Sequence, residues 1–286
     1  MRSLITIACL AALSGCAVIV AGNDDVQVRS IFSGSNAVVG NGTVAHDVRQ
    51  VGVVSGLEVS GPLEVTVRVG PAPSLVVDAD SNLLPLIRSE VSGGALRVWV
   101  EGSVRSANSI KVSYTTPSLT QLQTSGSGRL TVSDLNGEAL QLSKSGSGSA
   151  TLTGRVSNLD VRHSGSGEIN ANGVRIGSAR VVQSGSGHTA LGPVQGSDLS
   201  VTVSGSGSVQ ASGVANAVSA RTSGSGSVDL TNVASEQGDL STSGSGSISA
   251  TVKRSVIAQT SGSGRITVYG NPAQRQVIGK NITVLN

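Results

Sequence analysis

The chain has 286 residues, a formal charge of +3, and 38 glycines against four aromatics, Phe32, Trp99, Tyr114 and Tyr269. Its 38% hydrophobic content is almost all Val, Leu, Ile and Ala, so a core built around large rings is excluded and one assembled from small aliphatic pieces is expected. The charge is weak and dispersed, which gives no footprint for a nucleic-acid partner.

Arg2 and an apolar run from Leu4 to Leu13, broken only by Thr6, open the chain. The run is too short to span a bilayer as a helix and has the form of a secretory signal peptide over residues 1–15. Leu13-Ser14-Gly15-Cys16 resembles a bacterial lipobox. The resemblance implies cleavage between Gly15 and Cys16, acylation of the Cys16 thiol, and a membrane partner reached through that lipid. Cys9 would leave with the signal peptide, so the mature chain keeps one thiol and forms no disulfide. Ala17, standing where an Asp would retain such a protein at the inner membrane, implies a lipid anchor in the outer membrane, with the side it faces left open. Residues 16–48 carry Gly22, Asn23, Gly34, Asn36, Gly40 and Gly42 and read as the lipidated terminus and a tether.

From residue 49 to 286 the chain reads as one β domain. Residues 49–120 keep a period-two alternation at Leu57-Glu58-Val59, Leu63 to Val69, Leu75-Val76-Val77 and Leu96 to Val100, as expected of irregular first coils, with a short helical cap at Leu83–Ile87. Over 121–268 the tetrapeptide Ser-Gly-Ser-Gly begins at Ser125, Ser145, Ser164, Ser184, Ser204, Ser223, Ser243 and Ser261, at intervals of 18 to 20 residues. Aliphatic columns hold positions fixed relative to each first Ser. Three before it stand Leu122, Leu142, Val161, Val181, Val201, Ala220, Leu240 and Ala258; seven after it, Val132, Leu152, Ala171, Leu191, Ala211, Leu230, Ala250 and Val268. Similar columns stand five before and five after, with Thr120, Gly238 and Thr189 as exceptions. A looser one stands ten after, at Leu135, Val174, Val194, Val214 and Val233.

A unit of about twenty residues with so few aliphatics cannot offset the ordering of its own backbone and is stable only when stacked. The sequence therefore predicts an all-β, single-stranded parallel β-helix with about 20 residues per coil and Ser-Gly-Ser-Gly corners. Gly supplies positive φ and close approach at each corner, and Ser supplies hydroxyls for a ladder. Residues 269–286 are expected to close the stack, with Ile282 to Leu285 as a last strand.

The search for chemistry yields no expected catalytic residue, cofactor or metal site. Glycoside hydrolysis needs two carboxylates about 5–9.5 Å apart. Asp160 and Asp239 share a column but lie four coils, about 19 Å, apart, which leaves Asp78 and Asp80, read as a polar strand edge. No aromatic lies between Tyr114 and Tyr269 to stack on a sugar. His46, His163 and His188 share no ligand spacing. The position after each corner, where calcium-binding repeats carry Asp, holds Arg129, Ser149, Glu168, His188, Ser208, Ser227, Ser247 and Arg265. Lys144, Arg162, Arg180 and Arg221 read as solvated corners.

The Ser-Gly-Ser-Gly ladder follows a module running Val54-Ser55-Gly56-Leu57-Glu58-Val59-Ser60-Gly61-Pro62-Leu63-Glu64-Val65 and the stretch Asp80-Ser81-Asn82-Leu83-Leu84-Pro85-Leu86-Ile87. Together, over roughly 50–270, they resemble the auto-transporter adhesin head GIN domain family, also described as a domain of unknown function. The resemblance implies a β-helix on the bacterial envelope. The expected function is a non-enzymatic, lipid-anchored envelope module that binds a glycan or protein surface through a repetitive polar face. The alternatives are a periplasmic assembly scaffold and, on fold analogy, a polysaccharide-cleaving enzyme; the oligomeric state is left open.

Overall fold

A computed structural model describes residues 37–285, preceded by two short strands, Ala17–Ile19 and Val28–Ser30, paired antiparallel. The Gly15-Cys16 cleavage and lipidation site lies outside the described residues. The described chain is a β-solenoid, and the helix expected at Leu83–Ile87 is a single 3₁₀ turn, Leu84–Leu86.

In the regular region each coil is a nearly unbroken strand: Ser149–Gly165, Glu168–Gly185, His188–Gly205, Ser208–Gly224, Ser227–Gly244 and Ser247–Gly262. Successive coils pair parallel, with like residues opposite: Ser164 faces Ser184, which faces Ser204, then Ser223, Ser243 and Ser261. The corner column begins earlier than the tetrapeptide, because Ser125 also pairs with Ser60, and Gly61 turns there with φ +105°. All residues of the columns three before and seven after the corner Ser are buried. Differences in coil length are absorbed by bulges on the third side. One of them corrects the column ten after the Ser. The coil starting at Ser204 is a residue shorter than its predecessor, so Val214 is 60% exposed and Ala215 takes the inward place.

The two glycines of each corner are needed for different reasons. The first, from Gly126 to Gly262, has positive φ in all eight copies. The second has no such φ, but a Cβ on it would strike the carbonyl of the coil below, as at Gly226 against Gly207 O (2.6 Å). It would also strike the inward side chain just before the preceding corner, as at Gly264 against Thr242 Oγ1 (2.6 Å). The expected serine ladder is sparse: the corner hydroxyls of Ser223 and Ser204 meet at 3.3 Å.

At the N-terminal end the stack departs from chain order. The coil Gly56–Val69 lies between Ala95–Thr116 on one side and Gln121–Gly137 on the other. Beyond Ala95–Thr116 the direction reverses: Ser74–Asp80 and Ile87–Ser92 pair antiparallel with Lys111–Thr116 and Ala95–Val100, and Val44–Arg49 pairs antiparallel with Ser74–Asp80. The β body thus begins within the segment read as tether. At the other end Gln274–Ile278 and Ile282–Leu285 add a last parallel layer, the second as expected.

Candidate functional site

The columns that face inward at three and five before the corner Ser fix the direction of the residue one before it as well. That position holds Thr124, Lys144, His163, Gln183, Val203, Thr222, Thr242 and Thr260, a mainly polar column inside an aliphatic core. Lys144, read as a solvated corner, is only 2% exposed and His163 only 1%. The correction follows from strand parity, and the space comes from the second corner glycine of the next coil. Thr222 donates to Thr242 at 2.8 Å. Thr189, the polar exception among the residues five after the corner, donates to Gln183 Oε1 at 2.7 Å and lies 3.1 Å from His163 Nδ1. Since the Thr189 proton is committed to Gln183, His163 Nδ1 carries its own proton and donates to Thr189. His163 Nε2 and Lys144 Nζ are left buried without partners. Burial drives the His163 pKa down to about 4, helped by the charge of Lys144. Burial lowers the Lys144 pKa too.

The outward columns are where a partner can be met. Four and two before each corner stand Gln121, Gln141, Ser200, Ser219, Thr202 and Gln259 among others, stacked in register at the strand spacing of about 4.8 Å. Here the remaining basic residues behave as read: Arg162, Arg180 and Arg221 are exposed, Arg162 reaching Asp160 at 3.4 Å and Arg221 pairing with Asp239. Beside this face runs a groove of about 280 Å³. It runs over the backbone of Leu199, Val218 and Gly238, whose side of the chain faces the core, and is lined by Ala217 and the exposed Ile257 with Asp198, Ser200, Ser219 and Asp239 beside them. Gly238 replaces the aliphatic that other coils carry at this inward place, and Val252 fills the space its side chain would take.

Asp78 and Asp80 lie two apart on one strand but do not act together. Asp78 pairs with His46. Asp80 is 1% exposed and accepts from Ser106 Oγ at 2.6 Å and Asn108 Nδ2 at 2.7 Å. These bonds, with the Gly42 N–H, hold its pKa below the usual value against the cost of burial. A carboxylate kept ionised in this way ties the 38–42 and 104–108 segments together and is the opposite of the raised acid a glycosidase requires. His188 meets Ser208 Oγ at 2.7 Å. Among the described residues no group of three or more His, Cys, Asp or Glu is placed to hold a metal, and no helix is long and apolar enough to cross a membrane.

The sequence profile of the family described as "Putative auto-transporter adhesin, head GIN domain" matches residues 55–195 and 172–272, which span both the out-of-order coil and the regular ladder. The chain belongs to this family. As a head GIN domain protein it shares its fold with a "putative lipid binding protein" from Parabacteroides distasonis. The two are 21% identical, with 88% of this chain and all of that one aligned at a TM-score of 0.66. A "putative adhesin" from Parabacteroides merdae is 20% identical, with 87% and 99% covered and a TM-score of 0.66. A second putative adhesin, also from P. distasonis, is 20% identical over 88% and 100%, at 0.59. No curated protein matches the sequence.

Proposed function

We propose that this head GIN domain protein is a non-enzymatic binding module of the bacterial envelope, held at the outer membrane by lipid on Cys16. It meets its partner through the outward columns and the groove beside them. The observation that carries this reading is the register: like places on successive coils lie in line, so hydroxyls and amides recur along the stack at Gln121, Gln141, Ser200 and Ser219, interrupted by the charges of Asp160, Arg180 and Asp239, and weak contacts repeated there add as avidity. The groove suits a ligand with one apolar face and a hydroxylated edge, such as a sugar ring in an extended glycan laid against Ala217 and Ile257 and rimmed by Ser200 and Ser219. The family's adhesin description agrees with this use.

The test is a whole-cell assay with an epitope tag after Asn286. Antibody labelling of intact against permeabilised cells reports the side of the membrane. Adhesion of the same cells to immobilised glycans is then compared between wild type and Ala217→Arg, which fills the groove. Intact-cell labelling with adhesion lost in Ala217→Arg is expected; adhesion unchanged by that variant would remove the groove from the account. Palmitate incorporation that persists in Cys16→Ala would refute the anchor.

A further inference from the structure

The third side of the solenoid carries an arrangement that the polar-face reading does not use. Arg155 and Arg175 stand directly opposite each other on neighbouring parallel strands, spaced by about 4.8 Å. Their inward neighbours Val156 and Ile176 are buried, which sends both guanidinium groups outward. Like charges placed directly across a sheet repel. Seven other arginines of the described residues reach a carboxylate, from Arg49 to Arg254; these two, like Arg105, Arg129, Arg180 and Arg265, do not, and neither donates a side-chain hydrogen bond to any described residue.

Both line one groove of about 420 Å³. Its other walls include Gly137, Gly177, Ser157 and Gln195, with no acidic residue. The stem of Arg155 lies over Gly137, where a Cβ would sit 4.0 Å from its Cδ. Gly177 lets the two coils approach closely beside Arg175, since a Cβ there would meet the Ser157 carbonyl. Two unpaired guanidinium forks with a hydroxyl and an amide at their edge form a donor set without an acceptor anion. Planar guanidinium groups match tetrahedral oxyanions in bidentate fashion, and two of them at strand spacing can share one such group.

We propose that Arg155 and Arg175 form a binding site for a phosphate group, with Ser157 and Gln195 as supporting donors. The site stands independently of the polar face and of the groove over Val218. The test uses the full chain and follows the arginine Nε–H resonances by NMR during titration with inorganic phosphate, against chloride at matched ionic strength. Saturable shifts of two Nε–H signals are expected, with at least tenfold weaker binding in Arg155→Gln or Arg175→Gln and wild-type behaviour in Arg180→Gln. A second arm measures flotation with vesicles containing phosphatidic acid against pure phosphatidylcholine. Arginine-dependent flotation with the acidic vesicles identifies a lipid headgroup as the source, whereas saturation by soluble phosphate alone identifies a free or small-molecule phosphate. Absence of a saturable shift, an equal response to chloride, or unaltered binding in both variants overturns the proposal.

Discussion

Replacing His163 by Thr, the residue that the same column carries at positions 124, 222, 242 and 260, should make the protein less sensitive to mild acid. His163 is 1% exposed, and its pKa falls from 6.5 to about 4 in the fold. As the pH drops below 6.5 the unfolded chain takes up a proton that the folded chain refuses until about pH 4, so stability is lost across that window. At about 1.4 kcal/mol per pH decade the loss approaches about 3 kcal/mol. Carboxylate titration acts on both proteins and cancels in the comparison. The assay is urea denaturation at pH 7.5 and pH 4, monitored by far-UV circular dichroism and by amide exchange over residues 160–190. The wild type should lose about 3 kcal/mol more than His163→Thr between the two conditions. Equal losses would show that the imidazole is hydrated in solution and that the buried column is wrongly described.

Lys144→Met removes the other unpartnered group of this column. It should raise the urea midpoint at neutral pH, because a buried ammonium without a partner costs free energy that an apolar side chain of like volume does not; a lower midpoint would contradict it. Gly205→Ala meets a φ of +118° and places a Cβ 2.8 Å from the Gly185 oxygen, while Gly42→Ala meets φ +77° in open space. The first should cost at least about 3 kcal/mol and the second about 1–2 kcal/mol, measured as differences in unfolding free energy. Val194→Ala, at a site with no exposure, should cost about 2 kcal/mol. Val214→Ala, one coil on at 60% exposure, should change stability by less than about 0.5 kcal/mol, and equal effects would refute the bulge that separates them.

Much of the solenoid is legible in the sequence because the Ser-Gly-Ser-Gly spacing and the aliphatic columns report the same register independently. What escapes has identifiable causes. Alternation through Leu140 and Leu142 already points Lys144 inward, but its charge suggested solvent, and the room for its side chain comes from Gly167 of another coil, which no local pattern reveals. Val214 faces solvent because a one-residue deletion falls on the side whose bulges tolerate it. The Arg155–Arg175 pair depends on pairing across coils of unequal offset from their corners, so counting from the serines hides it. The order of the first coils was illegible for a different reason: strand alternation states that Leu57 and Leu96 face a core, not which coil lies on which.

That order has a consequence for how the protein is made. A growing chain that presents Gly56–Val69 first cannot complete that layer, since one neighbour ends at Thr116 and the other at Gly137. That segment must wait with both edges open until Thr116 has been synthesised, and with one edge open until Gly137 has followed. Growth then proceeds outward in two directions from an interior seed, in contrast to winding from one terminus. A ribosome stalled before residue 121 would hold a structure lacking the layer on which every later coil is templated, whereas one stalled after any later corner would hold a shorter solenoid with its seed complete.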